Sequence, residues 1–104
     1  MIEFFFWREC PSHERALAML RKEMLELGVD EAELRVTEVS SDEDAAAFDF
    51  PGSPTIRVNG VDVQDPGDQP RGLTCRLYRK RDGRPSPLPD EADLREALAA
   101  ITSD

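Results

Sequence analysis

The chain opens on an apolar and aromatic run interrupted only by Glu3. Residues 2–7 (Ile2, Glu3, Phe4, Phe5, Phe6, Trp7) read as a strand buried on both faces, as at the centre of a helix-flanked sheet. The pattern then changes period. Ala16, Leu17, Leu20, Met24 and Leu27 recur at three- and four-residue spacing, which predicts a helix beginning at or next to Pro11 and stopping at Gly28. Residues 33–39 alternate Leu34 and Val36 with charged neighbours and predict a second, less buried strand. Ser40 with Glu43 three residues on has the form of a capping box, so a short helix through Ala45 to Phe48 is expected, broken at Phe50-Pro51-Gly52-Ser53-Pro54.

Residues 55–58 are β-rich, Asn59-Gly60 is a hairpin turn, and residues 61–63 supply the return strand. Residues 64–72 are a Pro- and Gly-containing loop. Leu73, Cys75 and Leu77 alternate over residues 73–78 and predict a further strand whose apolar face includes Cys75. After a loop containing Asp82-Gly83 and three prolines, Leu94, Ala97, Leu98 and Ile101 mark the last helix. The order β-α-β-α-β-β-(β)-α predicts an α/β sandwich: one mixed sheet between helices, its first two strands parallel through a right-handed crossover.

The chain of 104 residues fits one domain over 1–104. No apolar run approaches the roughly 20 residues that span a bilayer, and the short aromatic opening lacks a basic stretch before it, so no membrane and a cytoplasmic location are expected. A net charge of −9 argues against general nucleic-acid binding. The charge is uneven. Residues 71–84 carry Arg71, Arg76, Arg79, Lys80, Arg81 and Arg84 against Asp82 alone. Such a run reads first as a solvated loop, with an anion-binding or partner-docking patch as the alternative.

Chemistry concentrates at Cys10-Pro11-Ser12-His13. A cysteine where a buried strand gives way to a helix meets free N–H groups and the positive end of the helix dipole, which favour the nucleophilic thiolate. His13, about one turn on, is placed for its imidazole to approach the sulfur and help it ionise. Cys75 is the other thiol, and its place in the alternation makes burial the default. Cys10, His13 and Cys75, drawn from two distant segments, are a weak pattern for a thiophilic metal, and no metal or other cofactor is expected.

A Phe-rich strand, a Cys-Pro-x-x segment leading into a helix, and a distant Ser53-Pro54-Thr55 before a β run resemble the thioredoxin superfamily. Residues 54–60, Pro-Thr-Ile-Arg-Val-Asn-Gly, are also similar to the glutaredoxin pattern. The matching segments span about residues 2–63. The resemblance implies a thioredoxin-like three-layer sandwich with a mixed central sheet of four or five strands flanked by helices. It implies a cis peptide at Ser53–Pro54 with Pro54 packed beside Cys10, and a substrate side formed by Pro11, Ser53, Pro54 and Thr55, where the Ser53 backbone pairs with an extended segment. The implied activity is thiol–disulfide exchange with Cys10 as nucleophile, acting on a protein or small-molecule thiol or disulfide such as glutathione. The chain departs from the usual Cys-x-x-Cys, because His13 holds the fourth position. Three routes stay open: glutathione resolves the intermediate, Cys75 resolves it, or the site no longer turns over. The last route makes the chain a non-catalytic binding module, with a thiophilic metal-binding protein as the other alternative.

Overall fold

Strand β1 (Ile2–Phe6) lies at the centre of a four-stranded mixed sheet, and the computed structural model, which describes residues 1–102, orders that sheet β2-β1-β3-β4. Its neighbours are β2 (Leu34–Glu38), parallel with Ile2 opposite Leu34, and β3 (Thr55–Val58), antiparallel with Phe4 opposite Ile56. The central position explains the run of aromatics. Ile2 and Phe4 face one core with Ala16, Leu20, Met24, Ile56, Leu94 and Leu98, whereas Phe5 faces a second core with Val39, Ala45 and Phe50. Alternate residues of one strand thus serve opposite faces of the sheet. Helices α1 (His13–Leu27) and α3 (Glu91–Thr102) cover the first face, and α2 (Asp42–Ala47) covers the second. No helix among the described residues is long and apolar enough to cross a membrane.

Outside residues 73–78 the predicted elements fall where expected, with adjustments at their ends. Helix α1 begins at His13, two residues after Pro11, with Ser12 as its N-cap, and ends at Gly28. Leu20 and Met24 are fully buried, while Leu17 and Leu27 are half-buried against the same core. Helix α2 is capped by the Ser41 hydroxyl, which accepts from the Asp44 N–H, and not by Ser40 with Glu43. Asp44 instead reaches back to accept from the Ser40 N–H and hydroxyl. The Asn59-Gly60 turn joins β3 to β4 (Val61–Asp62) with φ of 52° and 83°, the two positive values that a type I′ hairpin requires.

The prediction for residues 73–78 is overturned. They form no continuous strand. Residues Tyr78–Arg79 (β5) pair with Pro85–Ser86 (β6) in a separate two-stranded ribbon closed by Asp82-Gly83, and Cys75 makes a single parallel bridge to Ser53. The phase is also reversed. Arg76 and Tyr78 are buried, while Cys75 and Leu77 are exposed. The inward residues win because each finds a partner inside. The Arg76 guanidinium meets Asp62, and the Tyr78 hydroxyl donates to the Pro54 carbonyl at 2.6 Å. Leu73 alone of the apolar trio packs on a core, that of Phe5 and Phe50.

Candidate functional site

The site forms where β1 ends. The Cys10 N–H donates to the Trp7 carbonyl at 3.0 Å, closing a tight turn that brings Cys10 back under the sheet end with only 2% of its surface exposed. Ser53 lies directly against this turn. Its hydroxyl accepts from the Trp7 N–H at 3.0 Å, and its carbonyl accepts from the Cys10 thiol at 3.4 Å. The Ser53–Pro54 peptide bond is cis. Cys10 therefore lies two residues ahead of the α1 N-cap, and the hydrogen bond its thiol makes runs to a carbonyl of the 53–54 segment rather than to a helix N–H.

His13 takes a different part from the one expected. Its Nδ1 donates to the Cys10 carbonyl at 2.7 Å, and its ring stacks on Phe6 with centroids 4.8 Å apart. A carbonyl partner fixes the proton on Nδ1. The imidazole pins the backbone of Cys10 and the first residue of α1 to one another, so the hydrogen bond ties down the cysteine's backbone rather than its sulfur.

Ser53 has a backbone partner from its own chain. Its N–H donates to the Thr74 carbonyl at 2.8 Å, and its carbonyl accepts from the Arg76 N–H at 2.8 Å. The segment 74–76 thus lies along the edge that the resemblance assigns to an extended substrate, with Cys75 opposite Ser53. This brings Cys75 to Cys10. Partial burial of its sulfur, together with the charge and hydrogen bonding of the adjacent Cys10, pushes the Cys75 thiol above its ordinary range. Both cysteines are free thiols.

The strap is held by the residue next to Cys75. Arg76 is 2% exposed and forms a two-pronged pair with Asp62, both bonds at 2.8 Å. It also donates to the Thr55 hydroxyl and the Gln64 carbonyl, and its guanidinium lies 4.3 Å from the centre of the Tyr78 ring. Gly52 makes the close approach possible: a Cβ there would stand 3.0 Å from the Arg76 backbone, and its φ is +119°. Neither Gly52 nor Arg76 was singled out by sequence. Arg76 is hidden in a charge run, and Gly52 between two prolines looks like an ordinary breaker.

Of the predicted substrate side, Ser53, Pro54 and Thr55 are buried and Pro11 is exposed. Thr55 is committed internally, donating to the Gly52 carbonyl at 2.6 Å. The basic run is largely neutralised by the chain itself. Arg71 pairs with Asp49, Arg76 with Asp62, Arg81 with Asp93 and Glu96, and Arg84 with Asp82. Among the described residues no three His, Cys, Asp or Glu side chains gather as metal ligands. A groove of about 470 Å³ between the β3–β4 hairpin and α3 is lined by Val58, Val61, Val63 and Ala97 among others, and by none of the candidate residues.

Comparison with protein families, with curated proteins and with solved structures found no match to this chain.

Proposed function

We propose that this chain is a thiol–disulfide oxidoreductase of the thioredoxin type in which Cys10 and Cys75 are the redox pair. The observation that carries this reading is the meeting of the two thiols across Ser53, from segments 65 positions apart in a chain that lacks the second motif cysteine. The order of strands and helices, the position of Cys10 after β1 and the cis Ser53–Pro54 bond support the family resemblance. The chemistry balances within sulfur. The two thiols become one intramolecular disulfide, and a partner disulfide takes up two electrons and two protons to leave as two thiols. Such exchange needs neither metal nor organic cofactor. In this reading the reductant is a thiol of a reducing compartment, the cytosol, with glutathione as the small-molecule candidate. A binding module built on the family groove is less well supported, because the Ser53 edge already carries residues 74–76.

The test is oxidation of the reduced protein by oxidised glutathione, followed by intact mass and peptide mapping. The expected product has lost two hydrogens, links the Cys10 and Cys75 peptides, and returns to the dithiol with excess reduced glutathione. Two unlinked cysteines after oxidation would sink the reading.

A further inference from the structure

The two cysteines are unequal in access. Cys10 is 2% exposed beneath the 74–76 strap, whereas Cys75 is an exposed residue on the strap itself. We propose that Cys75 is the sulfur that exchanges with the external partner and that Cys10 is the internal nucleophile that resolves the mixed disulfide on Cys75. This order rests on the redox-pair reading and goes beyond it, because the resemblance alone assigns the external attack to Cys10.

The steps balance as follows. The Cys75 thiolate attacks a disulfide RSSR, forming Cys75–S–S–R and releasing one thiolate. The Cys10 thiolate then attacks the Cys75 sulfur. The Cys10–Cys75 bond forms, the bond to R breaks, and the second thiolate leaves. The protons of the two cysteines end on the two released thiols. Reduction is the reverse: an external thiolate attacks Cys75 and expels Cys10.

Two features carry this order. An in-line attack on Cys10 from solvent needs the strap displaced, and the strap is held by two backbone bonds to Ser53 and by the buried Arg76–Asp62 pair. Displacing the strap breaks that buried pair and both backbone bonds together. Second, with the Ser53 N–H and carbonyl both paired inside the chain, an extended peptide has no edge to add to at Ser53. The partner is therefore a compact one that presents its sulfur at the surface, as a low-molecular-weight disulfide does.

The experiment compares Cys10→Ser and Cys75→Ser, each reduced and treated with oxidised glutathione, with folding of both checked by circular dichroism. Cys10→Ser, which retains Cys75, is expected to form a stable glutathione adduct at least about tenfold faster than Cys75→Ser, in keeping with thiol access. A faster adduct on Cys10 in Cys75→Ser overturns the order. A measurement on the wild type stands independently of the variants. Its disulfide form is mixed with limiting reduced glutathione, quenched in acid and mapped, and the adduct is expected on the Cys75 peptide. An adduct on the Cys10 peptide overturns the order while leaving the redox pair intact. A wild type that forms no intramolecular disulfide removes the pair itself, and the order with it.

Discussion

The Arg76 guanidinium grips the Asp62 carboxylate through two 2.8 Å hydrogen bonds inside the protein, with 1% of one side chain and 12% of the other exposed. Arg76 follows Cys75 in the chain, so this pair sets where the exposed cysteine stands relative to Cys10. Arg76→Met keeps much of the apolar stem and removes the charge. It is expected to cost about 3 kcal/mol, because the nearly buried Asp62 loses its counter-ion. Urea denaturation measures the loss. The same variant should alkylate faster at Cys10, since the strap that covers it is no longer pinned. Arg76→Lys should recover little, because a single ammonium cannot span both carboxylate oxygens and the Gln64 carbonyl. An unchanged Cys10 alkylation rate in Arg76→Met would show that the ion pair does not hold the strap closed.

Gly52 controls the same segment from the other side. With φ at +119° and the Arg76 backbone 3.0 Å from where a Cβ would stand, Gly52→Ala adds both backbone strain and a clash that a side-chain rotation cannot relieve. The expected destabilisation is about 2 kcal/mol or more. The chemical signature is more specific. Pushing residues 74–76 off Ser53 separates Cys75 from Cys10, so the variant should form the intramolecular disulfide more slowly than Arg57→Ala, a comparison change on β3 away from the strap. Equal rates of disulfide formation in the two variants would contradict this.

The first half of the fold was legible because its elements repeat at a single period. The continuous apolar run at Ile2, Phe4 and Phe5 has one reading, a strand with both faces covered, and the cores on either side of β1 bear it out. The Asn59-Gly60 turn was equally plain, since few dipeptides accept two positive φ values. Residues 73–78 misled for a physical reason. Leu73, Cys75 and Leu77 alternate, but hydrophobicity does not decide the phase there. The interior offers a carboxylate at Asp62 and a carbonyl at Pro54, and the long polar residues Arg76 and Tyr78 satisfy them. Those partners lie 14 and 24 positions away, beyond any local pattern. The candidate site was legible as Cys10 with Ser53-Pro54, whose neighbourhood the motif order implies. That Cys75 faces Cys10 was one alternative among several, because the loop at 64–72 sets the return path.

Tyr78 supplies a pH-dependent element of stability. It is fully buried, its hydroxyl donates to the Pro54 carbonyl, and burial raises its pKa well above the ordinary tyrosine value, an effect that Arg76 partly opposes. In the unfolded chain the phenol ionises around pH 10, so above that pH the unfolded state releases a proton that the folded state still holds. Stability from this residue is complete below about pH 10 and falls as the pH climbs further. Tyr78→Phe should cost about 1–2 kcal/mol at neutral pH, by leaving the Pro54 carbonyl unpaired. It should also flatten the decline above pH 10 relative to the wild type. Parallel alkaline branches for the two proteins, measured by thermal unfolding across pH, would mean that Tyr78 does not govern that limb.

The last prediction separates the causes that act on Cys75. Partial burial raises its pKa most, and the charge and hydrogen bonding of Cys10 raise it further. Iodoacetamide reacts with the thiolate, so the pH midpoint of Cys75 alkylation, followed on its own peptide, reports this pKa. In the reduced wild type the midpoint should lie above that of an unperturbed cysteine. Cys10→Ser removes the neighbouring sulfur and keeps the strap, the Ser53 backbone pairing and the Arg76 latch. Its Cys75 midpoint should therefore move down, but not fully to the ordinary value, because the larger cause remains. The shift has a kinetic consequence. At neutral pH Cys75 in Cys10→Ser is ionised to a greater extent, so its adduct with oxidised glutathione should form faster than the first adduct on the reduced wild type, and the ratio should shrink as the pH rises past both midpoints. A midpoint unmoved by Cys10→Ser would mean that the two sulfurs do not interact in solution, and the redox pair would lose the contact on which it depends.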